Sequence, residues 1–185
     1  GVRLVGSEMC IRDRSKTNDG LLRLNTSGQI QKFSIEDVID GVDELALTHL
    51  NISREGFVFF GTQRNGMIGY NPTTNSFNRI TENAGNGNLP STRVRALAFD
   101  NQNRLWIGTA RGLRVLFNVA GFFEEGANVE AQAIIIEEDG VGQELLVSQT
   151  ITDIEVDGSN NKWVATSSSG AVSYTHLTLP TKRIV

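Results

Sequence analysis

Apolar residues along this chain come in short runs separated by polar turns, and no stretch shows the 3.6-residue spacing of an amphipathic helix. The most regular stretch is Val94–Leu116, where two apolar runs flank the polar turn Asp100–Asn103 and a Gly-centred turn leads into a third run. That pattern predicts a three-strand meander. Counting back from Trp106, the 12-residue interval to Val94 recurs between Ile151 and Trp163 and between Leu47 and Phe59. Behind each aromatic comes a small pair, Gly108-Thr109, Ala165-Thr166 or Gly61-Thr62, and then a glycine, Gly112, Gly170 or Gly66.

Taken in order, the repeats span about 18–33, 45–80, 94–147 and 151–170. The first enters at Gly20-Leu-Leu-Arg-Leu and closes through a turn at Asn25–Gly28. Ile35–Leu45, with five acidic residues, is a connector with room for one helical turn capped by Ser34. In the second repeat the expected strands are Leu45–Ile52, Phe57–Thr62, Met67–Asn71 and Phe77–Ile80, and Glu82–Ser91 is expected to be an exposed crossing. The third has no obvious fourth strand; beyond it, Ala131–Glu137 and Gln143–Val147 flank a hairpin turn signal at Asp139–Gly142. The third-strand glycines lie 46, 46 and 58 residues apart, and the extra length falls in that hairpin.

Short strands recurring at this period fit a propeller blade, since helical solenoids need amphipathic helices. The expected fold is all-β: a partial β-propeller of about three four-stranded antiparallel blades in an open arc, occupying 15–171. First strands apolar on both faces, such as Ala96-Leu97-Ala98-Phe99, suit burial between neighbouring blades. Trp106, Trp163 and Phe59 would fill the wedges between sheets, and the small residue two positions later would let backbones approach. Three blades cannot close a ring, so blade faces are expected to stay open.

Composition narrows the chemistry. Of the 185 residues, 39% are hydrophobic and 7% aromatic, and the formal charge is −4, ordinary for a globular chain and unlike a nucleic-acid footprint. No apolar run is long enough to cross a membrane as a helix. One cysteine permits no internal disulfide, and two histidines leave little for a zinc site. Residues 1–14 and 172–185 fit no repeat and resemble peptides translated from sequencing-adapter DNA, so both are set apart as artefactual tails. Without them Cys10 and His176 drop out, and residues 15–170 carry 12 basic and 19 acidic side chains, a net of −7.

No motif announces catalysis. Asp157-Gly-Ser-Asn-Asn alternates oxygen side chains as calcium loops do, but Lys162 occupies the glycine position of such a loop and no bidentate Glu follows. The pairs Glu124-Glu125 and Glu137-Glu138 are adjacent on extended chain and point to opposite faces, so neither can flank one bond. His49 sits among leucines in a first strand with no nucleophile motif nearby and reads as packed or channel-lining. Gly85-Asn-Gly-Asn lacks the lysine of a phosphate loop. The one basic concentration is Arg93, Arg95, Arg104, Arg111 and Arg114, which strand alternation would partly gather on one rim suited to an anion or glycan. No catalytic, cofactor or metal residue is expected, and the chain is read as non-enzymatic.

The motif Asp100-Asn-Gln-Asn-Arg-Leu-Trp-Ile-Gly-Thr-Ala-Arg-Gly-Leu resembles the two-component regulator propeller repeat. The repeat at Leu47–Thr62 departs from that pattern, with Ser53 and Phe59 in place of aspartate and tryptophan, and Ala165 replaces a glycine. Within the family, Ala131–Gly140 joined to Ile151–Thr166 looks more like the accessory propellers of the type IX secretion system than like the sensor kinases. The resemblance implies an interaction module of a Gram-negative cell envelope, in the periplasm or at the outer surface, assisting secretion and surface attachment of cargo. Its implied partners are secretion-apparatus proteins or an anionic lipopolysaccharide. An oligosaccharide-sensing propeller of a hybrid two-component regulator is the alternative implied by the same family, and a propeller hydrolase or lyase is a further one.

Overall fold

A computed structural model describes residues 9–11, 21–24, 26–33, 45–83, 85, 87–124, 126, 129–138 and 141–174. The chain divides into two compact units, Gly1–Ala46 and Leu47–Val185. The first holds one antiparallel sheet of β1 (Met9–Ile11), β2 (Leu21–Leu24) and β3 (Ile30–Phe33). β1 comes from the stretch 1–14 and pairs with Leu22–Leu24. The connector Ile35–Leu45, read as loop or one helical turn, lies up to residue 44 outside the described residues.

The second unit is a series of antiparallel meanders. Blade A comprises β4 (Leu47–Ile52), β5 (Val58–Thr62), β6 (Met67–Asn71) and β7 (Ser76–Ile80). Blade B comprises β8 (Val94–Phe99), β9 (Leu105–Thr109) and β10 (Gly112–Leu116). Its missing fourth strand is a single bridge, Gln132 exchanging both backbone bonds with Val115. A hairpin of β11 (Ile135–Glu138) and β12 (Val141–Glu144) follows. Blade C comprises β13 (Ile151–Val156), β14 (Lys162–Thr166) and β15 (Ala171–Tyr174), the last reaching into the stretch 172–185. Among the described residues blade A has four full strands and blades B and C three each, so the expected four are seen in full in blade A.

The same local devices recur in each blade. In the first turn, the backbone N–H of Ser53, Asp100 or Asp157 donates to the carbonyl four residues on, at 2.8, 3.0 and 3.0 Å. The fourth turn residue takes a left-handed conformation, φ 89° at Gly56, 61° at Asn103 and 66° at Asn160, which only Gly and, less readily, Asn adopt without strain. Asparagine adds a link that glycine cannot. Asn103 Oδ1 accepts from Arg54 N (3.1 Å) while its Nδ2 donates to Glu55 Oε1 (2.8 Å). Asn160 Oδ1 accepts from Asn101 N (2.9 Å) while its Nδ2 donates to Gln102 Oε1 (2.8 Å). Each of these turns is thus stitched to the turn of the blade before it.

The core lies between blades. Phe59, Met67, Val94, Leu97, Leu105 and Ile107 belong to one buried cluster joining A and B; Ala96, Ala98, Trp106, Ile151, Ile154 and Val164 belong to a second joining B and C. Strand alternation sends Leu97 one way and Ala96 and Ala98 the other, which is why β8 is apolar on both faces. A Cβ on Gly61 would stand 2.7 Å from Val94 Cγ1, and one on Gly108 2.5 Å from Ile151 Cγ2. These glycines therefore set the blade spacing. The Glu82–Ser91 crossing is less open than expected: Leu89 is buried in the A–B cluster, and Gly87 bridges Glu130.

One element has no counterpart in the repeat. A 3-10 turn, Ala120–Phe123, follows β10, and Phe122 is fully buried with its ring 5.2 Å from that of Phe59. Gly69 makes the room, since a Cβ there would meet Phe122 Cε1 at 2.6 Å. Asn78 Nδ2 fixes the turn by donating to Phe122 O at 2.6 Å.

Candidate functional site

The strand register decides where the arginines fall. Val94, Thr109 and Gly112 lie side by side, so the start of β8 and the β9–β10 turn share one end of blade B. Arg93, Arg95 and Arg111 are at that end and exposed. Ala110 N donates to Arg93 O (3.0 Å), and Ser148 N to Arg111 O (3.2 Å), tying this end to the segment entering blade C. On the other side, Gly66 N donates to Thr92 O (2.9 Å), so the Arg64–Gly66 turn of blade A adjoins it.

Arg95 owes its exposure to a β-bulge. The register slips between Val94 and Ala96, leaving Arg95 as the extra residue. Bulges at the same place leave Thr48 in blade A and Thr152 in blade C. A bulge re-aims a side chain without breaking the strand, and three adjacent first strands each carry one.

Two arginines of the sequence-predicted set are elsewhere. Arg104 is at the opposite end, four residues after the turn residue Asp100, with its Nε 2.6 Å from Asp100 Oδ2. Arg114 lies on β10 paired with Glu144 and donates to Leu113 O. Arg111 has a carboxylate partner, Glu82 at 3.2 Å, but both are solvated and such a pair holds its charge weakly. The set therefore resolves into three accessible cations on one rim and two structural ones. Burying Asp100 requires donors, which was readable; that Arg104 would supply one depended on which way the turn projects it.

The opposite end is built from carboxylates consumed by structure. Burial pushes the Asp100 carboxyl up, but bonds from Arg104 and Trp106 outweigh it and hold the carboxyl below its ordinary range. Trp106 Nε1 donates to Asp100 Oδ2 at 3.0 Å. In blade C, Trp163 Nε1 donates to Asp157 Oδ2 at 3.1 Å, and Asn161 and Ser159 complete the shell. Those bonds, Trp163 first, lower the Asp157 pKa to about 2. In the loop that resembled a calcium site, the Asp157 carboxylate is spent on its own turn and on Trp163, and Asn160 Oδ1 on the preceding turn, and among the described residues no three His, Cys, Asp or Glu converge as metal ligands.

His49 is half-buried in β4 opposite Gly61. Glu124 and Glu137 are exposed and far apart in the chain. No helix among the described residues is long and apolar enough to cross a membrane.

Comparison with known proteins sharpens the repeat. Residues 88–111 match the two component regulator propeller family. Over 63 residues the chain is 38% identical to histidine kinase P4 of Formosa agariphila, covering 34% of this chain and 5% of that protein. Among solved structures, virginiamycin B lyase of Staphylococcus aureus superposes with a TM-score of 0.58 at 15% identity, covering 98% of this chain and 55% of the lyase. The extracellular domain of a protein described as a hybrid two-component system of B. thetaiotaomicron superposes with a TM-score of 0.50 at 18% identity, covering 91% and 29%. PorZ, a surface component of the type-IX secretion system of Porphyromonas gingivalis, aligns over 96% of this chain and 33% of its own length at 15% identity and a TM-score of 0.47. The chain thus spans 55% of the lyase, 33% of PorZ, 29% of the extracellular domain and 5% of the kinase. Its blades are β-propeller blades, and residues 88–111 match the two-component regulator propeller repeat.

Proposed function

We propose that this chain is the binding part of a bacterial cell-envelope propeller, non-enzymatic, that recognises an anionic glycan or lipopolysaccharide at the end of blade B. The observation that carries the reading is the rim itself: Arg93, Arg95 and Arg111 are exposed at one end, while the carboxylates of the opposite end are engaged in turns. A surface that keeps its cations solvated and its anions bonded attracts negative ligands although the chain as a whole is acidic. The match to histidine kinase P4 supports a sensory parent in the periplasm. The likeness of residues 131–140 and 151–166 to type IX accessory propellers supports the second reading, a secretion and surface-attachment protein.

Titrating the chain with lipopolysaccharide micelles tests the rim. The double variant Arg95→Glu, Arg111→Glu should bind on the order of tenfold more weakly, about 1.4 kcal/mol, and added salt should weaken the unmodified chain similarly. Affinity insensitive to both would remove the rim as the binding surface.

A further inference from the structure

The rim at the end of blade B already holds an anion of its own. Glu82 follows β7 and turns its carboxylate onto that end, where Oε1 accepts from Thr92 N at 2.7 Å and lies 3.2 Å from an amino nitrogen of Arg111. One oxygen is thus shared by a backbone N–H and a guanidinium, a donor pair that suits a carboxylate. The carbonyls of Thr92 and Arg111 accept from Gly66 N at 2.9 Å and Ser148 N at 3.2 Å. The backbone at both donors is therefore held independently of Glu82.

Glu82 can leave without unfolding anything. Leu89 N donates to Thr81 O at 2.9 Å, closing the loop behind it, and Gly87 is locked where a Cβ would collide with Ile80. Only side-chain torsions separate the bonded Glu82 from a solvated one. Its side chain is 39% exposed and that of Arg111 63%, so water competes for both. Arg114 with Glu144, by contrast, is a sheltered pair whose side chains are 11% and 26% exposed.

On its other side Arg111 adjoins a strained, apolar segment. Leu146 and Ser148 take left-handed conformations, φ 54° and 61°, which cost residues other than Gly and Asn. Val147 between them is 55% exposed. A sugar acid combines the two features, a carboxylate for the donor pair and an apolar ring face for the valine. A phosphate or sulfate group spreads its charge over three oxygens and would need donors beyond this pair.

We propose that Thr92 N and Arg111 form a seat for the carboxylate of a sugar acid, and that Glu82 fills this seat until such a ligand displaces it. The inference rests on the rim reading above and gives that rim a ligand class and a built-in competitor. A tethered competitor lowers the apparent affinity according to the fraction of chains whose seat is filled.

Trigalacturonate titrated calorimetrically into the full chain, with its neutral methyl ester as control, tests both parts. Glu82→Ala and Glu82→Asp should each bind trigalacturonate roughly 3- to 10-fold more tightly than the unmodified chain, Arg111→Gln should bind it more weakly, and the ester should bind none of them. Glu82→Asp keeps the charge but withdraws the carboxylate by one methylene. A gain in Glu82→Ala alone would make Glu82 a background charge and overturn the proposal. The Thr92 amide proton gives a second measurement by NMR: its resonance should move in Glu82→Ala and return towards its original position when trigalacturonate is added. Binding that leaves this resonance unmoved, or equal binding of the ester, overturns the seat but leaves the rim. Lipopolysaccharide micelles that bind where trigalacturonate does not would do the same, and if neither binds, the rim reading falls together with the seat.

Discussion

Blades B and C share a turn, an aromatic bonded to its aspartate and a bulged first strand, yet one is core and the other is surface. Asp100 with Trp106 and Asp157 with Trp163 make matching bonds at 3.0 and 3.1 Å. The difference is the neighbour: blade C closes over Trp106, and no described blade closes over Trp163. Local sequence therefore sets the blade, while the next blade sets how much stability the blade's best residue contributes. Hydrophobic stabilisation follows area removed from water and not residue type.

The sharpest way to break this comparison is to remove each indole. Trp106→Ala should cost roughly 3 to 5 kcal/mol, with a cavity between B and C, whereas Trp163→Ala should stay under about 1 kcal/mol, as surface changes do. Chemical denaturation of the two variants measures both; equal losses would show that the bond to aspartate, present in each, outweighs burial. Next come the spacing residues. Gly108→Ala forces a Cβ to 2.5 Å from Ile151 Cγ2 and should cost about 1 to 3 kcal/mol, while Ala165→Gly should lose less than about 1 kcal/mol through backbone entropy alone. A melting-temperature drop for Ala165→Gly as large as for Gly108→Ala would contradict the spacing argument.

The smallest effect is in acid. Both turn carboxyls are held below the ordinary aspartate value of 3.8, Asp157 at about 2. A depressed carboxyl adds stability that is present above its unfolded value and is lost as the pH falls through the folded one. The melting temperature should therefore fall as the pH drops from 3.8 towards about 2. Asp100→Asn should flatten that limb more than Asp157→Asn, because the Asp157 carboxyl stands in water. The reverse order would mean that exposure matters less than bond count.

Much of the arc was legible because its turns obey local rules. The 12-residue interval and the Gly/Asn turn residues located β5 and β6 to within a residue. What stayed hidden depended on partners distant in the chain. The 3-10 turn at Ala120–Phe123 has no periodicity, and Phe122 is explained only by the hole at Gly69. The fourth strand of blade B is one bridge at Gln132, too short to leave a pattern. The bulge at Arg95 is a property of pairing register, so the sequence could group the arginines but could not separate Arg104 and Arg114 from the rim.

The asparagine stitches point in one direction. Asn103 reaches back to the Ser53 turn and Asn160 back to the Asp100 turn, whereas Gly56 has no side chain with which to reach. A polypeptide leaves the ribosome N-terminus first, at roughly 5 to 20 residues per second. Each newly emerged blade therefore brings the side chain that seals the turn made before it. Assembly acquires an arrow: a stalled or truncated chain keeps its early blades latched and leaves only the last turn unlatched.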